Sequence, residues 1–104
     1  MANPWRGDVA LTIDGQRHVA RLTLGALAEL EDILDEPSLL SLVERFEDNS
    51  FSSRDVLRLL VAALRAGGME VTETSLGNAT IDGGPMGAAK AAAELLARAF
   101  VVPA

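Results

Sequence analysis

Three features of this chain could in principle do chemistry: one histidine, a glycine-rich stretch and a row of carboxylates. His18 is the single histidine. General-base or nucleophilic catalysis needs such a residue beside a Ser, Cys or acid that it activates or that orients it. No such spacing surrounds His18, which is expected to sit on a strand surface or edge. Gly83-Gly84-Pro85-Met86-Gly87 could suggest a phosphate loop. That loop ends in Gly-Lys-Ser/Thr, whereas Gly87 is followed by Ala88. The dinucleotide pattern also fails, because no parallel strand precedes the glycines. The stretch reads as a helix boundary. The acids Glu29, Asp32, Asp35 and Glu36 could be offered as a metal site. Hard cations need several oxygens converging on one point, usually from a loop. These acids spread along a helix, so a solvated face is expected, and an acidic docking face is the alternative. No catalytic residue, cofactor or metal ligand is expected, and the chain is expected not to be an enzyme.

Composition narrows the classes further. The chain has 104 residues, the size of one domain, here 1–104. Its apolar share of 49% is too high for disorder, and Leu, Ala and Val dominate it, as in packed helices. Cys is absent, so disulfides and thiolate metal sites are excluded, which fits a reducing cytoplasm. Fifteen acids against nine scattered bases give a net charge of -6, which argues against nucleic-acid binding. No apolar run approaches the ~20 residues that cross a bilayer, so no membrane association is expected. Residues 1–7 carry no apolar signal core.

The elements can be read in order. Asp8 to Ile13 alternates polar and apolar, which predicts a half-buried strand. Asp14-Gly15 predicts a tight hairpin turn, with a second strand from Gln16 to Leu22. A strict two-residue turn pairs Leu11 with His18. A bulge at Gly15 pairs Leu11 with Val19 instead and buries less polar surface, so the bulged register is expected. Thr23 can cap a helix over about Leu24 to Asp35, with Leu27, Leu30 and Leu34 on its buried face. Pro37 ends that helix and can open a short amphipathic one carrying Leu39, Leu42, Val43 and Phe46. Ser52 to Gly68 reads as the central helix. Ser52 and Asp55 form an approximate capping box, the body is apolar nearly all round, and Gly67-Gly68 supply a left-handed stop. Thr72 predicts a further helix through about Ile81, with Val71 and Leu76 as its staple. Pro85 opens the last helix, to about Val101, with Lys90, Glu94 and Arg98 as its polar ladder. The fold class is α+β: an N-terminal hairpin over 8–22 and about five helices over 23–102.

Two features suggest surfaces for a partner. Trp5 is expected to be a lid on the hairpin. The last helix is polar along one narrow line, and a domain this small is expected to leave part of such a helix uncovered. Leu95, Leu96, Phe100 and Val102 are the candidate partner-binding residues, with the acidic helix at Glu29 and Asp32 steering approach. One of the two adjoining faces, marked by Leu95 and by Leu96, is expected to stay free.

The order of pieces also carries a resemblance. A hairpin around Ile13-Asp14-Gly15 leads into Leu22-Thr23-Leu24-Gly25-Ala26-Leu27-Ala28-Glu29-Leu30-Glu31. Phe51-Ser52-Ser53-Arg54-Asp55-Val56 and Leu64-Arg65-Ala66-Gly67-Gly68 follow, then Asp82-Gly83-Gly84-Pro85 and Leu95-Leu96-Ala97-Arg98-Ala99-Phe100. Over nearly its whole length the chain resembles the small tail protein encoded in the tail gene cluster of alphaproteobacterial gene transfer agents and related siphophages. That family has been described both as a tail-tube protein and as a tail assembly chaperone, which binds the tape-measure protein before the tube polymerises. The resemblance implies no catalytic residues. It implies as partners the tape-measure protein and other tail proteins, with self-association open, and a cytoplasmic role during particle assembly. Tail-tube subunits are β-sandwich rings, and a chain with two strands and about five helices fits the chaperone better. A structural tube component and an unrelated adaptor or antitoxin-like module are the rivals.

Overall fold

The computed structural model describes residues 7–34 and 39–100. The expectations for Trp5, Pro37 and Val102, and for the side chain of Leu34, lie outside that description. The element order is β1 (Val9–Ile13), β2 (Gln16–Ala20), α1 (Leu24–Leu34), α2 (Leu39–Glu47), α3 (Ser53–Ala66), α4 (Glu73–Gly77) and α5 (Gly84–Phe100). This is the expected α+β architecture, a hairpin followed by five helices.

The hairpin forms in the register without a bulge. Val9 pairs with Ala20, Leu11 with His18 and Ile13 with Gln16, so the expected pairing of Leu11 with Val19 is corrected. The turn explains the difference. Asp14 and Gly15 both take positive φ, 51° and 81°, and that geometry closes a hairpin with no extra residue. The polar cost that favoured the bulge is small here, because Gln16 is exposed, His18 is half-buried and only Ala20 is fully enclosed.

In a hairpin of this register the even-numbered residues of β1 turn their backbone groups away from β2. That outer edge is covered. The Asp82 amide donates to the Thr12 carbonyl at 2.9 Å, and the Asp14 amide donates to the Thr80 carbonyl at 2.8 Å. The Thr80 amide returns a bond to the Asp14 carboxylate at 2.8 Å, and the Arg98 guanidinium donates to the Asp8 carbonyl. Ile81 thereby bridges Ile13, so the stretch after Gly77 is extended rather than helical. The predicted helix through Ile81 is therefore corrected to Glu73–Gly77. It starts at the Thr72 cap as expected, Val71 and Leu76 are both buried, and Ser75 adds a reciprocal capping box with Thr72.

Helix α3 is the centre of the core. Leu59, Leu60, Val61, Ala62, Ala63 and Leu64 are all buried along one continuous run. Its capping box is complete. The Asp55 amide donates to the Ser52 hydroxyl at 3.0 Å, and the Ser52 amide donates to the Asp55 carboxylate at 2.9 Å. The far end closes with the Met69 amide on the Leu64 carbonyl at 3.0 Å and Gly68 left-handed at φ 103°. Gly67 departs from expectation. Its φ is -81°, a helical value, and it is glycine for room: a Cβ there would lie 1.8 Å from the Val19 carbonyl oxygen. The hairpin thus rests directly on the end of α3, and the Arg21 amide donates to the Ala63 carbonyl at 2.9 Å.

Asp55 has a second task. Its carboxylate takes a bidentate ion pair from Arg45 of α2, both bonds 3.1 Å, beside a stack of Phe46 on Phe51 at 4.5 Å. Burial pushes the Asp55 carboxyl up, but the Ser52 amide and Arg45 outweigh it and hold the group below its ordinary value. A carboxyl lowered by folding contributes stability above its unfolded pKa, and that contribution disappears as pH falls through the folded value. Melting temperature measured from pH 7 down to pH 3 is expected to fall in the acid range. Asp55→Asn is expected to melt lower at pH 7 and to show a flatter acid limb. Parallel limbs would mean that the pair contributes nothing.

Candidate functional site

The candidate site is an apolar groove where side chains run out. One wall is the first half of α3, with Val56, Leu57 and Leu60 facing it. The opposite wall is the start of α5, from Gly84 to Ala89, and the floor is α4 with the extended segment at Ala79 and Ile81. Phe51 closes one end. The space within the groove, open to solvent, is about 660 Å³, and no charged side chain lines it. The α5 wall and the floor carry Gly77, Ala79, Gly84, Ala88 and Ala89. Side chains this small cannot meet across the gap, which is why the space remains. Met86 stands at its lip with 82% of its surface exposed.

A second depression of about 270 Å³ lies between β1 and α5, with Asp82, Lys90 and Glu94 around it. It runs along the outer edge of β1, where Arg98 and Asp82 already occupy the carbonyls of Asp8 and Thr12. Between those two plugs the backbone groups of Ala10 and the Thr12 amide face outward. Native sheets cover their edges in this way to prevent strand addition.

The residues picked from the sequence fall differently. Leu95 and Leu96 are both buried, at 0% and 3% exposure, so the expectation that one of them stays free is corrected. Ala88, Ala91 and Ala92 are buried around them, and these small residues let α5 sink between α3 and β1. The buried arc then spans roughly 140°, wide enough for both leucines. Phe100 is exposed at 43% at the other end of α5, far along the helix from the groove. Glu29 accepts an ion pair from Arg65 at 2.7 Å, while Asp32 is exposed. His18 lies beside Leu11 on the hairpin, and its side chain has no hydrogen bond or ion pair among the described residues. No group of three metal-ligating side chains occurs among the described residues. Among the described residues no helix is long and apolar enough to cross a membrane.

Charge is distributed unevenly around the groove. Arg21, Arg45, Arg58, Arg65 and Arg98 are each engaged with an acid: Asp8, Asp55, Glu73, Glu29 and Glu94 respectively. Glu31 and Asp32 of α1, Glu44 and Glu47 of α2, and Asp48 after it are exposed. The surplus charge of these residues is negative, while Arg54 and Lys90, next in sequence to the lining residues Ser53 and Ala89, are exposed cations.

Fold and groove together define a small α+β domain with a central buried helix and an open apolar groove. A family model described as phage tail tube protein, GTA-gp10, matches residues 6–101. The chain belongs to this family and is a phage-like tail protein of the gene transfer agent type. No curated protein sequence and no solved structure matches it.

Proposed function

We propose that this tail protein is a tail assembly chaperone, which holds the tape-measure protein in the cytoplasm until the tube polymerises. The observation that carries the reading is the two-stranded sheet with its outer edge covered. A tube wall built from β-sandwich rings needs broad sheets, and the described residues form one sheet of two strands. The apolar groove supports the same reading, since a holding protein must present apolar surface to its client. The net charge of -6 would keep such a surface soluble while it waits. On this reading the protein works by binding and not by catalysis, and other tail proteins are its neighbours during assembly.

The family description itself names the rival, a subunit of the tube. The two readings part on the finished particle. Co-expression with the tape-measure protein of the same gene cluster is expected to give a soluble complex, with the tape-measure protein insoluble when expressed alone. Mass spectrometry of purified particles is expected to find this chain absent or far below the tube stoichiometry. Recovery of the chain in the particle at many copies per tail, with no soluble tape-measure complex, would instead establish the tube reading.

A further inference from the structure

We infer that α2 is a strap: it lifts from the start of α3 as a unit while the rest of the domain stays folded, and it frees Phe51 at the end of the groove. The inference does not depend on the chaperone reading.

The fold sets α2 apart. Helices α1, α4 and α5 pack along α3, and the hairpin packs on α3 through β2 and on α5 through β1. Helix α2 runs along none of these elements and buries one side chain, Leu42. Its backbone is complete without them. Asn49 is left-handed at φ 56°, its amide donates to the Phe46 carbonyl at 3.3 Å, and the Ser50 amide donates to the Arg45 carbonyl at 2.8 Å. This is a Schellman closure, so lifting α2 leaves those carbonyls paired. Helix α3 is equally independent, because Ser52 and Asp55 cap it from within.

One face of side chains seats α2. Leu42, Arg45 and Phe46 stand at i, i+3 and i+4. Arg45 grips Asp55, and Phe46 stacks on Phe51 with the rings within 7° of parallel. Both grips fall at the entry to α3, over residues 51–55. Phe51 also closes the groove, so the stack ties the position of α2 to the open length of that groove. An element with little buried apolar surface opens at a lower free energy than the whole domain.

Native-state hydrogen exchange on the unaltered chain is the first test. The bonded amides over 43–50 are expected to exchange at least about a hundredfold faster than those over 59–64. They are expected to share one shallow urea dependence, because their opening exposes little surface, while the α3 amides follow global unfolding steeply. Leu95→Ala then separates the two openings. It weakens the core equally in the seated and the lifted state. Exchange over 59–64 is expected to rise about a hundredfold, and exchange in α2 to stay within about twofold. Phe46→Ala weakens the seated state alone, so exchange in α2 and α3 is expected to rise together, by about tenfold. A common rate for α2 and α3 in the parent would overturn the inference. So would α2 exchange that follows α3 in Leu95→Ala, or that Phe46→Ala leaves unmoved. Arg45→Met combined with Phe46→Ala biases α2 toward the lifted state and leaves Asp55 to cap α3. This variant is expected to brighten the uncharged apolar dye Nile red about threefold or more, with the amides over 59–64 still slower than those of α2. An unchanged dye signal would mean that lifting does not free Phe51, and the strap would have no effect on the groove.

Discussion

Gly67→Ala is expected to detach the hairpin from the central helix and to destabilise the domain by about 3 kcal/mol or more, at the upper end for overpacking. The added Cβ would lie 1.8 Å from the Val19 carbonyl oxygen and 2.9 Å from its carbon. Both are backbone atoms of β2, so no side-chain rotation relieves the overlap. Either β2 lifts away, losing the Arg21 to Ala63 bond, or the last turn of α3 unwinds. A domain of this size has only about 5–15 kcal/mol in total, so the loss is a large part of it. The neighbouring Gly68→Ala is the control. Gly68 is left-handed at φ 103° with nothing within 4 Å of a Cβ, so its cost is conformational only, about 1–2 kcal/mol. Urea titration of the two variants against the parent measures both. Equal losses would mean that the close approach of Val19 is not tight, and that Gly67 is there for backbone freedom after all.

That pair of glycines shows where sequence reasoning reaches and where it stops. The stop signal after Ala66 was legible, because helix termination is local chemistry. So were the Ser52–Asp55 box, the Thr72 cap, the Asp14-Gly15 turn and the α+β class. The role of Gly67 was not legible, since the atom it makes room for comes from a strand 48 residues earlier in the chain. The extended run at Thr80–Asp82 was missed for the same reason. Its hydrogen bonds go to Thr12 and Asp14, and a helix after Thr72 was the best local reading. The groove was the hardest feature to foresee, because it is made of side chains that are not there. Gly77, Ala79, Ala88 and Ala89 were visible in the sequence as small residues. What could not be read was that they would face one another. Their presence on two elements flanking exposed Met86 is the signal that could have pointed to the site.

The same geometry reverses the expectation for the last helix. Leu95→Asp and Leu96→Asp are now both expected to unfold the domain, where one of them was expected to spare it. Leu95 is wholly enclosed and Leu96 is 3% exposed. Each substitution removes a packed side chain and puts a carboxyl where no unengaged cation stands beside it. Arg98 is the nearest basic residue on the helix, and it already serves the Asp8 carbonyl and Glu94. The lost packing alone is about 2–5 kcal/mol, judged from leucine-to-alanine changes in cores. The unpaired buried carboxyl adds several more, or takes up a proton at neutral pH. The sum reaches the whole stability of a domain of this size. Leu95→Ala and Leu96→Ala keep the comparison measurable. Both are expected to stay folded and to lose similar amounts, each on the order of 3 kcal/mol. Met86→Asp is expected to change stability by no more than about 0.5 kcal/mol, as surface substitutions do. Denaturant midpoints for these variants separate core from groove without any partner present. A stable, native-like Leu96→Asp would show that α5 buries one face only, and the binding surface would then move from the groove back to the C-terminal half of that helix.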